Sequence, residues 1–316
     1  MNRNLDVLRA FAVSAVVVCH LLRLGGFKFG ERIGPFGVLL FFVHTSLVLM
    51  LSMDRQRMSY WQFIVRRVFR IYPLSILVVL FYFSTGLTDH TFPNAALSWH
   101  TLVPHLLLFQ NVVNLPSMPI VLWSLPFEMQ MYLLLPLLFV FCTSLRRCLF
   151  SWGLAIGIIA LQRFTIGATP QLFDFMPCFI PGVIAFVRRG QLPRFNALLW
   201  PVFLFALLAL YLAGTFPGVN WLFCLLLGFA IPLFREIPEG VVAAGSAKIA
   251  KYSYGIYLTH MLALDVAFRI AGPARWVLFL ALGVGLPVLL YHLIESPMID
   301  LGKRLTAVPL AKRAAA

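Results

Sequence analysis

Apolar residues run through this chain in blocks of 16 to 20 or so, separated by short polar breaks, and each block is long enough to be read as a helix in or near a bilayer. The blocks predict helices near 5–24, 35–53, 70–86, 123–142, 151–166, 170–187, 196–213, 219–234, 252–270 and 276–294. Most breaks are compact and turn-like, such as GGFKFGERIGP after the first block and AGTFPG after the seventh. Short breaks imply antiparallel neighbours in one bundle. The exception is 87–122, which contains His90, His100, His105 and several prolines. Around LSWHTLVPHLLLF it predicts a short interfacial or re-entrant helix, too interrupted to span.

Composition takes this from pattern to class. The chain has 316 residues, 61% hydrophobic and only 11% charged, with a mean hydropathy of +0.91. These values exclude an ordinary soluble domain. The expectation is an all-α polytopic membrane protein of about ten transmembrane helices in a single domain over 1–316, with no separate soluble domain. The first apolar run carries Arg9 and His20 and lacks a small-residue cleavage site after it, so it reads as a retained helix, not a signal peptide.

A net charge of +14 would suggest nucleic acid in a soluble protein. Here the basic residues gather in alternate breaks: DRQRMSYWQFIVRRVFR, the pair at 146–147, RRGQLPR and the C-terminal KR pairs. If the spans alternate, 19 of the 25 Lys and Arg fall on the side of the N-terminus and six on the other. The positive-inside rule then puts both termini in the cytoplasm, and no nucleic-acid partner is expected. The five cysteines, Cys19, Cys142, Cys148, Cys178 and Cys224, are scattered without a CxxC or a metal-ligand spacing. No disulfide framework and no metal is expected.

Against this apolar background the polar residues stand out. Arg9 and His20 lie in LDVLRAFAVSAVVVCHLL with ten residues between them. Ionisable groups in a membrane helix are costly and mark function by default. Eleven steps make about three turns, which puts both on one face roughly 16 Å apart along the axis. In VRRVFRIYP, Arg66, Arg67 and Arg70 crowd one turn at the cytoplasmic surface. Arg67 and Arg70 project together and suit phosphate oxygens, although a cluster on lipid headgroups has the same composition.

In WSLPFEMQMYLLLP, Ser124, Glu128 and Tyr132 recur at i, i+4. Glu128 there can orient a histidine, bind a sugar hydroxyl or anchor its helix to a neighbour. In KYSYGIYLTH, Ser253, Tyr257 and His260 lie near one face, where they can line a polar passage or lock helices together. His44, in FFVHTSLVLM, is equally open. Glu295, before Ser-Pro in HLIESPMIDLGKR, is expected to pair with an arginine of the inner side.

Singly these signals are modest, but in this order LDVLRAFAVSAVVVCH, GVLLFFVHTSLVL, RRVFRIYP, WSLPFEMQMYLLLP, SYGIYLTH and YHLIESP resemble the acyltransferase-3 family of membrane O-acyltransferases. The resemblance runs from Leu5 to about Leu305. It implies a ten-helix enzyme, multi-pass in the bacterial inner (plasma) membrane. The reaction implied moves an acyl group, commonly acetyl from acetyl-CoA, to a hydroxyl of a carbohydrate or glycolipid acceptor. Arg9 and His20 match the family's arginine-ten-histidine motif, Arg67 and Arg70 its Arg-x-x-Arg motif, and Glu128 its acidic position after tryptophan-serine-leucine. The second helix departs from the family, with Val-His-Thr-Ser at 43–46 where many members have a serine-glycine-phenylalanine turn.

The expected division of labour has His20 as catalytic base or nucleophile. Arg67 and Arg70 hold the CoA phosphates, and Arg9 either extends that grip or takes a catalytic part by steadying the thioester end. Glu128 orients His20 or meets the acceptor, and Tyr257 and His260 line the acceptor's passage. Acyl-CoA, the acceptor and membrane lipids are the expected partners. A transporter or flippase of a lipid-linked or glycan substrate is the alternative, weakened by the lack of evident inverted repeats. An intramembrane protease is disfavoured because neither GxSxG nor HExxH occurs.

Overall fold

The computed structural model describes residues 2–87, 98–165, 167, 173–214 and 220–307. His90 lies outside them. The chain forms α1 (Arg3–Leu24), α2 (Ile33–Gln56), α3 (Tyr60–Thr85), α4 (Trp99–Leu106), α5 (Leu125–Phe141), α6 (Leu145–Thr165), α7 (Met176–Val187), α8 (Leu199–Ala213), α9 (Asn220–Ala230), α10 (Val241–Ala267), α11 (Ala274–Leu290) and α12 (Ser296–Leu305). Among the described residues the only β pairing is an isolated bridge between Phe195 and Phe234.

A helix stands at each of the predicted positions, but the expected ten spans are not matched by ten helices of spanning length. Among the described residues six helical segments are long and apolar enough to cross a bilayer, whereas Met176–Val187, Leu199–Ala213 and Asn220–Leu233 are shorter. At 1.5 Å per residue, the 12 residues of α7 rise about 18 Å, well short of a hydrocarbon core of about 30 Å. α7 is instead buried in protein along most of its length. α10 begins at Val241, well before the predicted 252. Its first turns, VVAAGSAKIAK, are too small and polar to look like a span, yet alanine and lysine are good helix formers.

Contacts at the two ends fix the antiparallel order. At the end carrying the α1 N-terminus, the Arg3 backbone N–H donates to Glu236 (2.9 Å), Arg189 meets Asp54 (3.1 Å), and Arg66 donates to Thr306 (2.8 Å). At the opposite end, Arg32 donates to the carbonyls of Tyr211 (2.8 Å) and Leu212 (3.0 Å), and Arg163 reaches Asp174 (3.4 Å). The first is the basic end.

α2 is the centre of the bundle. Its apolar window is 72% buried, against 22% for Leu145–Thr165 and 11% for Ala274–Leu305 at the periphery. In lipid, helix association depends on close packing rather than apolar transfer, so small residues sit at the contacts. A Cβ on Gly37 would lie 2.5 Å from the Ala12 carbonyl of α1, and one on Gly182 would collide with Ser46 and the Val43 carbonyl of α2. Ser46 fills this seam by donating to the Phe179 carbonyl (2.6 Å).

The segment from 98 to 124 bears out the expected short helix. α4 starts in a Ser98–Thr101 capping box and ends after two turns. His105 then ties the return: its Nδ1 meets the Thr101 carbonyl (2.6 Å) and its Nε2 takes the Met118 N–H (3.1 Å). Tyr72, midway along α3, donates to the Leu107 carbonyl (2.9 Å). That contact brings the turn after α4 to mid-depth, and a 3-10 turn (Ile120–Ser124) leads from there into α5.

Candidate functional site

Arg9 and His20 both face cavities, but not the same one. A cavity of about 100 Å³ toward the basic end is lined by Arg9, His44, Arg67, Arg70, Glu128 and Tyr132, with Ser124, Ser253, Tyr254 and Tyr257 completing its polar wall. A second cavity, of about 220 Å³, is lined by His20, Arg23, Glu31, Trp123, Val121 and Tyr257. The helical rise of α1 separates Arg9 and His20 by roughly 16 Å, so each serves one cavity.

The inner cavity is built from five helices, α1, α2, α3, α5 and α10. α3 supplies Arg67 and Arg70 one turn apart, α1 supplies Arg9, and α5 supplies Glu128 and Tyr132 on the face read from their i, i+4 spacing. The Tyr132 hydroxyl donates to Glu128 Oε2 (3.0 Å). Arg70 Nη1 pairs with Glu295 Oε1, and the Glu295 side chain is fully buried. Glu295 sits at the end of a π-helical turn (Tyr291–Glu295), between α11 and α12. Three guanidinium groups therefore face two carboxylates, an excess of positive charge where Coulomb attraction is little screened. The Nε groups of Arg9 and Arg67 are buried without a hydrogen-bond partner. Unpaired buried donors are costly, and a bound anion such as a phosphate would satisfy them. His44, left open by the sequence, belongs to this cavity and is 5% exposed.

The ring of His20 lies beside that of His260 of α10, with centroids 5.1 Å apart, although His260, expected to line the acceptor's passage, is not among the residues lining either cavity. His260 Nδ1 lies 3.0 Å from the Ile256 carbonyl, which can only accept, so Nδ1 carries the proton and Nε2 presents a lone pair in the neutral ring. That Nε2 is buried with no hydrogen-bond partner. Glu128 lines the inner cavity and is absent from the wall around His20, so it faces the arginines. Tyr257 borders both cavities. Its hydroxyl donates to the Val121 carbonyl (2.6 Å) and accepts from Ser124 Oγ (2.8 Å).

The outer cavity also contains residues that the sequence reading passed over. Arg23 lies three residues after His20, on the same side of α1, but it counted there only toward topology. Glu31 stood in a break read as a turn, and Trp123 was noted only as part of its block. Among the described residues no three His, Cys, Asp or Glu side chains converge as a metal site. The five cysteines are buried and free.

Comparison with known proteins identifies the family. The sequence profile of the acyltransferase-3 family, described as an acyltransferase domain, matches residues 2–292. A protein of Acidianus two-tailed virus, named as an acetyltransferase, ORF330, is 28% identical over 295 residues, covering 83% of this chain and 84% of the relative. Nodulation protein 10 of Rhizobium leguminosarum bv. viciae is 26% identical over 362 aligned positions, covering 97% and 95%. No solved structure matches significantly. With the family profile spanning nearly the whole chain, and with long apolar helices around two polar cavities, this protein belongs to the acyltransferase-3 family and is a multi-pass membrane acyltransferase.

Proposed function

We propose that this enzyme moves an acetyl group from acetyl-CoA to a hydroxyl of a carbohydrate or glycolipid acceptor, with His20 as the base. The observation that carries the reading is the pair of cavities on either side of Val38 and Tyr257, one rich in unpaired arginine donors and one holding His20. Arg67, Arg70 and Arg9 grip the phosphates of CoA at the cytoplasmic side, and the pantetheine arm carries the thioester inward. The acceptor enters the outer cavity, where the indole face of Trp123 suits the apolar face of a sugar and where Arg23 and Glu31 offer hydrogen-bonding groups to its hydroxyls.

In the transfer, His20 takes the acceptor hydroxyl proton while the oxygen forms its bond to the thioester carbonyl carbon. The C–S bond then breaks, and CoA leaves as the thiolate, which takes up the proton that His20 removed from the acceptor. His260, through its free Nε2, stands where it can orient the His20 ring or take up its proton. The enzyme works in the bacterial inner membrane, where cytoplasmic acetyl-CoA and an acceptor at the far surface are both within reach.

Mass spectrometry of glycans and glycolipids from cells with and without the protein tests this reading. An acetyl mass increment that depends on the protein supports it. Movement of an unmodified substrate across sealed vesicles, without any covalent change, would contradict it.

A further inference from the structure

Val38 and Tyr257 line both cavities. Each is almost fully buried, at 3% and 6% exposure. They come from different helices, α2 and α10, and neither can retreat easily. Next to Val38, Gly37 lets α2 touch the α1 backbone, with its would-be Cβ 2.5 Å from the Ala12 carbonyl, and a Cβ on Gly34 would stand 2.8 Å from Cys19 Sγ. Two residues before Tyr257, Gly255 lies against Pro287 of α11, where a Cβ would stand 3.1 Å from its Cα. The Tyr257 hydroxyl is tied at its far end to Val121 and Ser124. Close-packed interiors of this kind shift between discrete arrangements more readily than they stretch.

Because Val38 and Tyr257 are common to the linings of both cavities, a group anchored by the arginines runs along this partition on its way to His20. What the partition offers along its edge is an isopropyl group and an aromatic ring, surfaces that suit a hydrocarbon chain and not a phosphate. We infer that Val38 and Tyr257 are the filter that sets the length of the acyl group, admitting a short chain and turning away longer ones. The inference rests on the reading of the arginine cavity as the CoA site and concerns the acyl portion alone.

Equilibrium binding of CoA, acetyl-CoA, butyryl-CoA and octanoyl-CoA to the purified full-length protein tests it. Val38→Ala removes two methyl groups from the partition. It is expected to raise the affinity for butyryl-CoA relative to acetyl-CoA about tenfold, the effect of burying two further methylenes at about 0.8 kcal/mol each. Binding of CoA itself stays within about twofold on the same scale. Val38→Phe, which closes the gap, reduces acetyl-CoA affinity toward that of CoA. Val38→Ala is the mild variant, and its melting temperature reports whether it folds. An unchanged acetyl-to-butyryl ratio in folded Val38→Ala, while Arg67→Ala still weakens CoA binding, overturns the filter and leaves the CoA site standing. Undiminished CoA binding in Arg67→Ala overturns the CoA site, and the filter with it.

Discussion

Replacing Glu295 with alanine isolates the ion pair that holds Arg70 at the cavity wall. The Glu295 side chain has no exposure and that of Arg70 only 18%. Removing one member of such a pair strands the other, at a cost of about 3–5 kcal/mol. Two features lower the figure for Glu295→Ala. Arg70 keeps some access to solvent, and the substitution also removes Glu295 Oε2, a buried oxygen without a partner whose burial already costs about 1–3 kcal/mol. A net loss of about 2 kcal/mol follows. Arg70→Ala is worse, about 4 kcal/mol, because it leaves a fully buried carboxylate alone.

The double variant removes both charges and is expected to cost less than the two singles combined, with a coupling of about 2–3 kcal/mol. Thermal melting in detergent, followed by tryptophan fluorescence, reads the series. At roughly 2 °C per kcal/mol for a chain this long, Glu295→Ala lowers the melting temperature by about 4 °C. If the two single effects simply added in the double variant, the pair would not be coupled and the reasoning would fail.

Arg67→Ala is expected to weaken CoA binding about 10- to 100-fold in an equilibrium assay, the effect of losing a charge-assisted contact worth about 1.5–3 kcal/mol; Arg67→Lys restores the charge but not the paired donors, and recovers only part of it. Gly182→Ala forces α7 away from Ser46 and Val43 and lowers stability by about 1–3 kcal/mol or more, whereas Gly153→Ala, with nothing near its would-be Cβ, melts within about 1 °C of wild type. Unchanged melting of Gly182→Ala would contradict the packing described. His105→Ala unties the turn between α4 and α5, and limited proteolysis is expected to cut within 98–124 faster than in wild type; equal rates would show that the histidine is dispensable there.

The long apolar helices were legible because the bilayer imposes their length and composition, and Arg9 and His20 because charges in such a run are conspicuous. The start of α10 was not, since its first turns at the basic end need no apolar character. The shorter lengths of α7, α8 and α9 were not legible, because an apolar run has the same composition whether lipid or, as around α7, protein surrounds it. Glu295 was expected to pair with an arginine of the inner side, and it does, but no local rule could select Arg70 across 225 residues. The same holds for the partition. Tyr257 was expected to line a polar passage, but its place in the partition depends on the return from α4, which brings Val121 and Ser124 to its hydroxyl. Glu128 shows the limit of motif reading most clearly, since its helix, its face and its burial were foreseen while its company, arginines rather than His20, came from the tertiary fold.

The central claim, that His20 performs the proton transfer while the arginines hold the donor, is tested most directly on purified His20→Ala protein. Labelled acetyl-CoA is supplied with the acceptor on which the wild-type enzyme leaves its acetyl mass increment, and both binding and transfer are measured. The account predicts acetyl-CoA affinity within about threefold of wild type and transfer reduced by about 10²- to 10⁴-fold, the range for loss of a general base. Transfer at the wild-type rate by the His20→Ala protein would contradict it.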